Sequence, residues 1–169
     1  MLRMFESFAG YGTATFALKA LGVEHELVGY SEILPFACKC FEQNHGGRNF
    51  GDITKIDWEK VPDFDLITGG FPCQAFSLSG KLKGNNDSRG KLGLELTRAL
   101  IAKRPKYFLF ENVRGFLRAR FDDFGMSLIK SWKDAGYRVD YKMLNTKDFG
   151  VPQFRERECG LWGFGMICL

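Results

Sequence analysis

The sequence predicts an α/β fold, a mostly parallel twisted sheet with helices on both faces. Three observations predict it. Short apolar runs alternate with longer runs of helical period. The turns that follow the apolar runs are rich in glycine and polar residues. The 169 residues, 45% hydrophobic and 26% charged, suit one domain with a real core, read as a single unit over 1–169. Right-handed crossovers would collect the loops that follow strands along one edge of the sheet.

The elements follow in order. Leu2 to Ser7 is apolar enough for a first strand, and Phe8-Ala9-Gly10-Tyr11-Gly12 is a turn. Ala14, Ala17, Leu18 and Leu21 recur at helical spacing, with Gly22 as a stop. Glu26 to Ser31 reads as a strand. Residues 33–44 read as a helix with Ile33, Phe36, Ala37 and Cys40 on its apolar face. Phe64 to Thr68 is a buried strand. Leu92, Leu96, Ala99 and Lys103 mark a helix ended by Pro105, and Tyr107 to Phe110 is a strand. Phe124 to Ala135 is helical, and Tyr137 to Leu144 is a strand. With 17 phenylalanines, the core is expected to be aromatic. After Arg157 three glycines interrupt an apolar stretch, and glycine weakens a strand interior.

Bulk properties exclude several classes. No run approaches the roughly 20 apolar residues of a membrane span. The N-terminus has no secretory h-region and the five cysteines are odd in number, so free thiols in a reducing, cytoplasmic compartment are expected. Cys38, Cys40, Cys159 and Cys168 read as structural. With only His25 and His45, no zinc site assembles, and no metal is expected. The net charge of +4 permits nucleic acid as a partner without demanding it.

Four constellations fall on the predicted edge. Gly10 and Gly12 let a ligand approach the backbone at a helix N-terminus, but Thr15 stands where a dinucleotide fingerprint has its third glycine. Glu32, about 20 residues on, is placed to accept from ribose hydroxyls, and Asp52 follows the next element. Together they suit an adenosine-type ligand that is not anchored by pyrophosphate. Cys73 lies on a turn after a strand, with Gly69 and Gly70 before it and φ of Pro72 fixed. Glu111 follows the neighbouring strand, where half-desolvation would raise its pKa and let it donate a proton. Gln153, Arg155 and Arg157 alternate onto one side, a pattern suited to phosphate or carboxylate and equally to a solvated edge. Residues 77–91 form a long polar loop in which Lys81, Lys83, Arg89 and Lys91 oppose one acid, Asp87.

In this order the segments resemble the C5-cytosine-specific DNA methyltransferase family over about residues 1–157. Phe8-Ala9-Gly10-Tyr11-Gly12 resembles its S-adenosylmethionine motif, Glu32 its ribose-binding acid and Asp52-Ile53 its adenine-contacting pair. Gly70-Phe71-Pro72-Cys73-Gln74 resembles the nucleophile motif, Glu111-Asn112-Val113 the acid motif, and Gln153-Phe154-Arg155-Glu156-Arg157 the basic motif. Phe76-Ser77-Leu78-Ser79-Gly80-Lys81 through Asp87-Ser88-Arg89-Gly90 resembles the mobile active-site loop. Thr13 stands where the family often has glycine.

The resemblance implies a Rossmann-like S-adenosylmethionine-dependent methyltransferase fold. Phe8, Ala9, Gly10, Gly12, Glu32, Asp52, Ile53 and Pro72 would bind the cofactor. Cys73, Glu111 and Arg155 would be catalytic. Phe71, Gln74, Ser77, Lys81, Arg89, Asn112, Val113, Gln153 and Arg157 would face a cytosine flipped out of double-stranded DNA. The family continues past the basic motif with a target-recognition domain and a returning helix, whereas residues 158–169 match it poorly. The expectation is therefore a partial or split enzyme whose recognition part comes from a second polypeptide. Two other readings stay open: an inactive remnant or a non-enzymatic cofactor- or DNA-binding subunit, and an RNA cytosine methyltransferase.

Overall fold

The structure, a computed structural model, describes residues 1–72, 92–114, 116 and 124–165. Six strands form one sheet in the order β2-β1-β3-β4-β6-β5. They are β1 (Leu2–Ser7), β2 (His25–Ser31), β3 (Leu66–Gly69), β4 (Tyr107–Val113), β5 (Tyr137–Asn145) and β6 (Glu156–Gly165). β1, β2, β3 and β4 pair in parallel, and β6 runs antiparallel between β4 and β5. The helices are α1 (Thr13–Ala20), α2 (Pro35–His45), α3 (Leu92–Lys103) and α4 (Phe124–Asp134).

Alternation along the strands assigns the two layers. Phe5, Ile67, Phe108 and Phe110 point into one core with Leu96, Leu100, Leu128, Ile129 and Trp132 of α3 and α4. Trp132 meets both Phe108 and Phe110 edge-on, each at 5.3 Å, and its indole N–H donates to Thr97 Oγ1 at 2.8 Å. Met4, Glu6 and Tyr30 point to the opposite face, where Thr15 of α1 meets Met4 and Glu6, and Phe41 of α2 stacks on Tyr30 at 4.0 Å.

Three expectations change. On α2 the buried face is Ala37 and Phe41, while Ile33 and Phe36 are exposed. Pro35 starts the helix, and Phe41 is the ring that reaches Tyr30 on the sheet. The glycine-interrupted segment after Arg157 is a ten-residue strand, paired on both sides. Glycine is required in it: a Cβ on Gly163 would lie 2.3 Å from the Phe108 ring and 2.8 Å from the Arg138 carbonyl oxygen. β3 also begins at Leu66, two residues later than expected, because Phe64 leaves the strand path to stack on Phe5 at 5.5 Å. Among the described residues no helix is long and apolar enough to cross a membrane.

Candidate active site

Parallel register brings Ser7, Gly69 and Phe110 side by side at the C-terminal ends of β1, β3 and β4. The loops that leave this edge line a cleft of about 370 Å³, within the range of small-molecule sites. Phe8, Ser31, Glu32, Asp52, Ile53, Gly70, Pro72 and Leu92 are among its walls.

The turn after β1 bends through left-handed backbone at Phe8, Gly10 and Gly12 (φ 50°, 55° and 82°). A Cβ on Gly12 would strike the His45 ring at 2.4 Å, so only glycine lets α2 pack this close. Ala9 is buried, and its N–H donates to the Ser31 carbonyl at 3.0 Å. Glu32 is tied to the same turn. Its Oε2 accepts from Gly10 N–H at 2.8 Å, and its Oε1 accepts from the Ile33 and Leu34 N–H groups at 2.8 and 2.9 Å. A carboxylate offers about four lone-pair sites, so one remains on Oε2 for a ligand hydroxyl.

Asp52 caps a 3-10 turn over Ile53–Lys55. The Thr54 hydroxyl and N–H, at 2.8 and 3.0 Å, hold its carboxyl below the usual carboxylate range. Ile53 is buried, and Arg98 of α3 fixes its backbone: one guanidinium donates to the Ile53 and Ile56 carbonyls, both at 2.7 Å, and to Glu95 at 2.8 Å. Sequence reading missed Arg98. Its one signal is spacing, three residues after Glu95 on α3, which lets the two side chains pair. Asn49, also missed, bonds both the N–H and the carbonyl of Glu32.

On the other side of the cleft, Glu111 projects from β4 over Gly70, whose Cβ position lies 2.8 Å from Glu111 Oε2. Arg157 of β6 meets the other oxygen, Nε to Oε1, at 2.6 Å. The Glu111 side chain stays 41% exposed and that of Arg157 20%. The acid thus stands half-buried, as expected, and is paired with an arginine. Arg157, assigned to substrate in the sequence, instead clamps the acid.

Two other residues expected to meet substrate are turned inward. Phe71 is buried, edge-on to Phe116 at 5.3 Å. Asn112, 1% exposed, donates its amide to the Phe71 carbonyl at 3.3 Å and so ties β4 to the segment leading into residue 73. Val113 is half-buried beside that core. Gln153 and Arg155 are exposed in the coil before β6; the Gln153 carbonyl accepts from Thr146 Oγ1, and Arg155 N–H donates to Asn145 Oδ1 at 3.3 Å. The expected common side for Gln153, Arg155 and Arg157 does not form, because only Arg157 has entered the strand. Cys73, Gln74, Ser77, Lys81 and Arg89 lie outside the described residues. Among the described residues no cluster of His, Cys, Asp and Glu could hold a metal.

The chain is similar to known proteins in both sequence and fold. The orphan methyltransferase M.Rho11sI of Bacillus phage rho11s is 45% identical over 159 residues, covering 92% of this chain and 32% of that protein. The type II methyltransferase M.HhaI of Haemophilus parahaemolyticus is 40% identical over 158 residues, covering 92% of this chain and 47% of its own. The chain spans about a third to a half of the length of such curated relatives. Among solved structures, the S. pombe Dnmt2 methyltransferase superposes with a TM-score of 0.79 at 26% identity, over 98% of this chain and 52% of that one. The model of the C-5 cytosine-specific DNA methylase family matches residues 2–160, and the chain belongs to that family.

Proposed function

We propose that this chain binds S-adenosylmethionine in the cleft and uses Cys73 and Glu111 to methylate C5 of a cytosine in DNA. The observation that carries the reading is the Glu111–Arg157 clamp, which stands over Gly70, two residues from Pro72 in the cleft wall and three from Cys73. The cleft fits the cofactor chemically. It has one hydroxyl-accepting site at Glu32, a second acid at Asp52, and apolar walls at Phe8, Ile53 and Leu92. When bound, S-adenosylmethionine supplies a methyl group activated by a sulfonium.

The chain's own residues would make C5 able to accept that methyl. The Cys73 thiolate adds to C6, forming an S–C6 bond and moving the C5–C6 π electrons into an enamine. Glu111 shares a proton with N3, drawing electron density from C6 as the sulfur adds. Arg157 holds Oε1, which leaves Oε2 directed at the base. Arg155 would steady the adduct, and Gln153, Val113 and the basic side chains of residues 77–91 would line the DNA path. After C5 is methylated, a base removes its proton, the C5–C6 double bond re-forms, and the thiolate leaves. Cytosine inside a duplex is out of reach, so the base is flipped at a cost of a few kcal/mol.

A DNA duplex carrying 5-fluorocytosine tests this, because fluorine cannot leave as the C5 proton does. With labelled S-adenosylmethionine, the expected result is a covalent protein–DNA adduct that Cys73→Ser abolishes while cofactor still binds. Cofactor binding with no adduct at any DNA concentration would leave a non-enzymatic binding module. Adduct on the matching RNA and not on DNA would transfer the reaction to RNA.

A further inference from the structure

We infer that Asn49 is a positioning residue: its side-chain amide fixes the end of β2 that carries Glu32 against the segment that carries Asp52, so that the two acids of the cleft hold one geometry. This rests on reading the cleft as a nucleoside-cofactor site.

The backbone brings Asn49 to its place. Residues 48–50 run beside β2: Tyr30 N–H donates to the Arg48 carbonyl at 2.9 Å, and Phe50 N–H donates to the Tyr30 carbonyl at 2.8 Å. Gly29 allows this approach, since a Cβ there would lie 2.4 Å from the Phe50 ring and 3.1 Å from the Arg48 carbonyl oxygen. Ser31 Oγ donates to the Gly51 carbonyl at 2.7 Å, a second tie between the same two segments.

An exposed asparagine ordinarily gives much of its amide to water. Asn49 is exposed, yet its amide has a protein partner for all four of its hydrogen-bonding positions. Oδ1 accepts from the Glu32 N–H at 3.3 Å and from the Gly51 N–H at 2.9 Å. Nδ2 donates to the Glu32 carbonyl at 3.1 Å and to Cys38 Sγ at 3.2 Å. Cys38 Sγ in turn donates to the same Glu32 carbonyl at 3.4 Å. Donors face the oxygen and acceptors face the nitrogen, so the partners fix which way the amide lies. Only an amide serves here: a carboxylate would offer the Glu32 carbonyl no donor and would set a further negative charge against Glu32.

Glu32 is thereby held at both ends. Gly10, Ile33 and Leu34 bind its carboxylate, and Asn49 binds its backbone on both sides. The direction of the last free lone pair on Oε2 follows from that backbone. Gly51 directly precedes Asp52, so the same amide also sets where the Asp52 turn begins. Removing it should leave the apolar walls at Phe8, Ile53 and Leu92 in place and turn only the hydroxyl-accepting oxygen.

Isothermal titration of the full chain with adenosine and with 2′,3′-dideoxyadenosine, which lacks the ribose hydroxyls, tests this. The unaltered chain should bind adenosine at least about tenfold more tightly, the worth of a hydrogen bond to a carboxylate. Asn49→Ala, with the fold checked by circular dichroism, should shrink that advantage to about threefold or less and change dideoxyadenosine affinity by less than about twofold. If Asn49→Ala does not fold, Cys38→Ala replaces it. That variant removes one partner of the amide and one of the Glu32 carbonyl, and should shrink the advantage by about twofold. An advantage unmoved in the folded variant overturns the inference. Equal weakening of both nucleosides overturns it too, because a purely structural residue would act on both alike. Equal affinity of the unaltered chain for the two nucleosides also overturns it, since Glu32 then takes no hydroxyl, and leaves the cleft standing as a nucleoside site. Failure of both to bind removes the cofactor site, and this inference with it.

Discussion

The two walls of the cleft are built differently. The wall at β1 and β2 is held by carboxylates that accept from nearby backbone amides: Glu6 from α1, Glu32 from Gly10, Ile33 and Leu34, and Asp52 from Thr54. The wall at β4 and β6 is held by side chains that reach across to neighbouring segments, Arg157 to the Glu111 carboxylate and Asn112 to the Phe71 carbonyl. The first kind of wall survives side-chain exchange around it because the turn's own amides define it. The second exists only if β6 is inserted in the sheet with its observed register. Damage to the second wall should therefore spare cofactor binding and affect chemistry alone.

The largest effect should come from breaking the clamp. Glu111→Gln is expected to slow adduct trapping by about 10²–10⁴-fold, the usual worth of a positioned acid. Arg157→Ala should cost about 10²-fold, and the double variant little more than Glu111→Gln alone, since the arginine acts through the acid. Arg157→Lys should recover part of the loss, because it restores the charge without the fork. Cofactor affinity should stay within about twofold throughout. Full additivity of the two losses would show that Arg157 acts independently of Glu111.

A smaller effect on the same wall comes from Gly70→Ala. The new methyl would lie 2.8 Å from Glu111 Oε2, so the carboxylate must move. Trapping should slow by about tenfold, the cost of displacing a reacting group by a fraction of an ångström. The measurement is trapping rate beside cofactor affinity, and an unchanged rate would detach Glu111 Oε2 from the chemistry.

This contrast also explains what the sequence made legible. Strand-helix alternation and the Gly10–Gly12 turn are local features, and the elements from β1 to β5 appear within a few residues of their expected places. Glu32 and Glu111 were legible because each directly follows an apolar run in a topology that gathers strand ends. Arg157 as the partner of Glu111 was not, since it depends on the β4–β6 register across 46 residues, with a shift between Phe110 and Glu111. Nor was β6 itself: Gly163 reads as a strand breaker until the Phe108 ring is seen to occupy the space of its side chain. Nor was the burial of Asn112: the resemblance assigns it to the substrate, and only the fold reveals the Phe71 carbonyl to which it donates.

Gly163→Ala tests that insertion directly. Overpacking against Phe108 and the Arg138 carbonyl should cost about 1–3 kcal/mol, read as a lower denaturant midpoint with the slope unchanged. The clamp should weaken with it, while the wall at Glu32 keeps its affinity for cofactor. A midpoint equal to that of the unaltered chain would remove β6 from between β4 and β5.

The smallest expected effect is that of acid, and it belongs to surface pairs away from the clamp. Thr54 holds Asp52, Lys60 holds Asp57, Lys103 holds Asp63 and Lys106 holds Asp65, each carboxyl below its ordinary 3.8. A carboxyl lowered in the folded state binds its proton more readily once unfolded. Its stabilisation is complete well above pH 3.8, and it is lost as pH falls through that value toward the lower folded one. Tyr137, pushed up to about 12 by burial, adds nothing in this window. The melting temperature should therefore hold level from pH 7 to about 5 and decline only near and below about 4. Because these groups are solvent-exposed, the decline should be shallow, and added salt should blunt the part due to the lysine partners while sparing the hydrogen bonds from Thr54. A melting temperature that already falls between pH 7 and 6 would place the acid-sensitive contacts elsewhere.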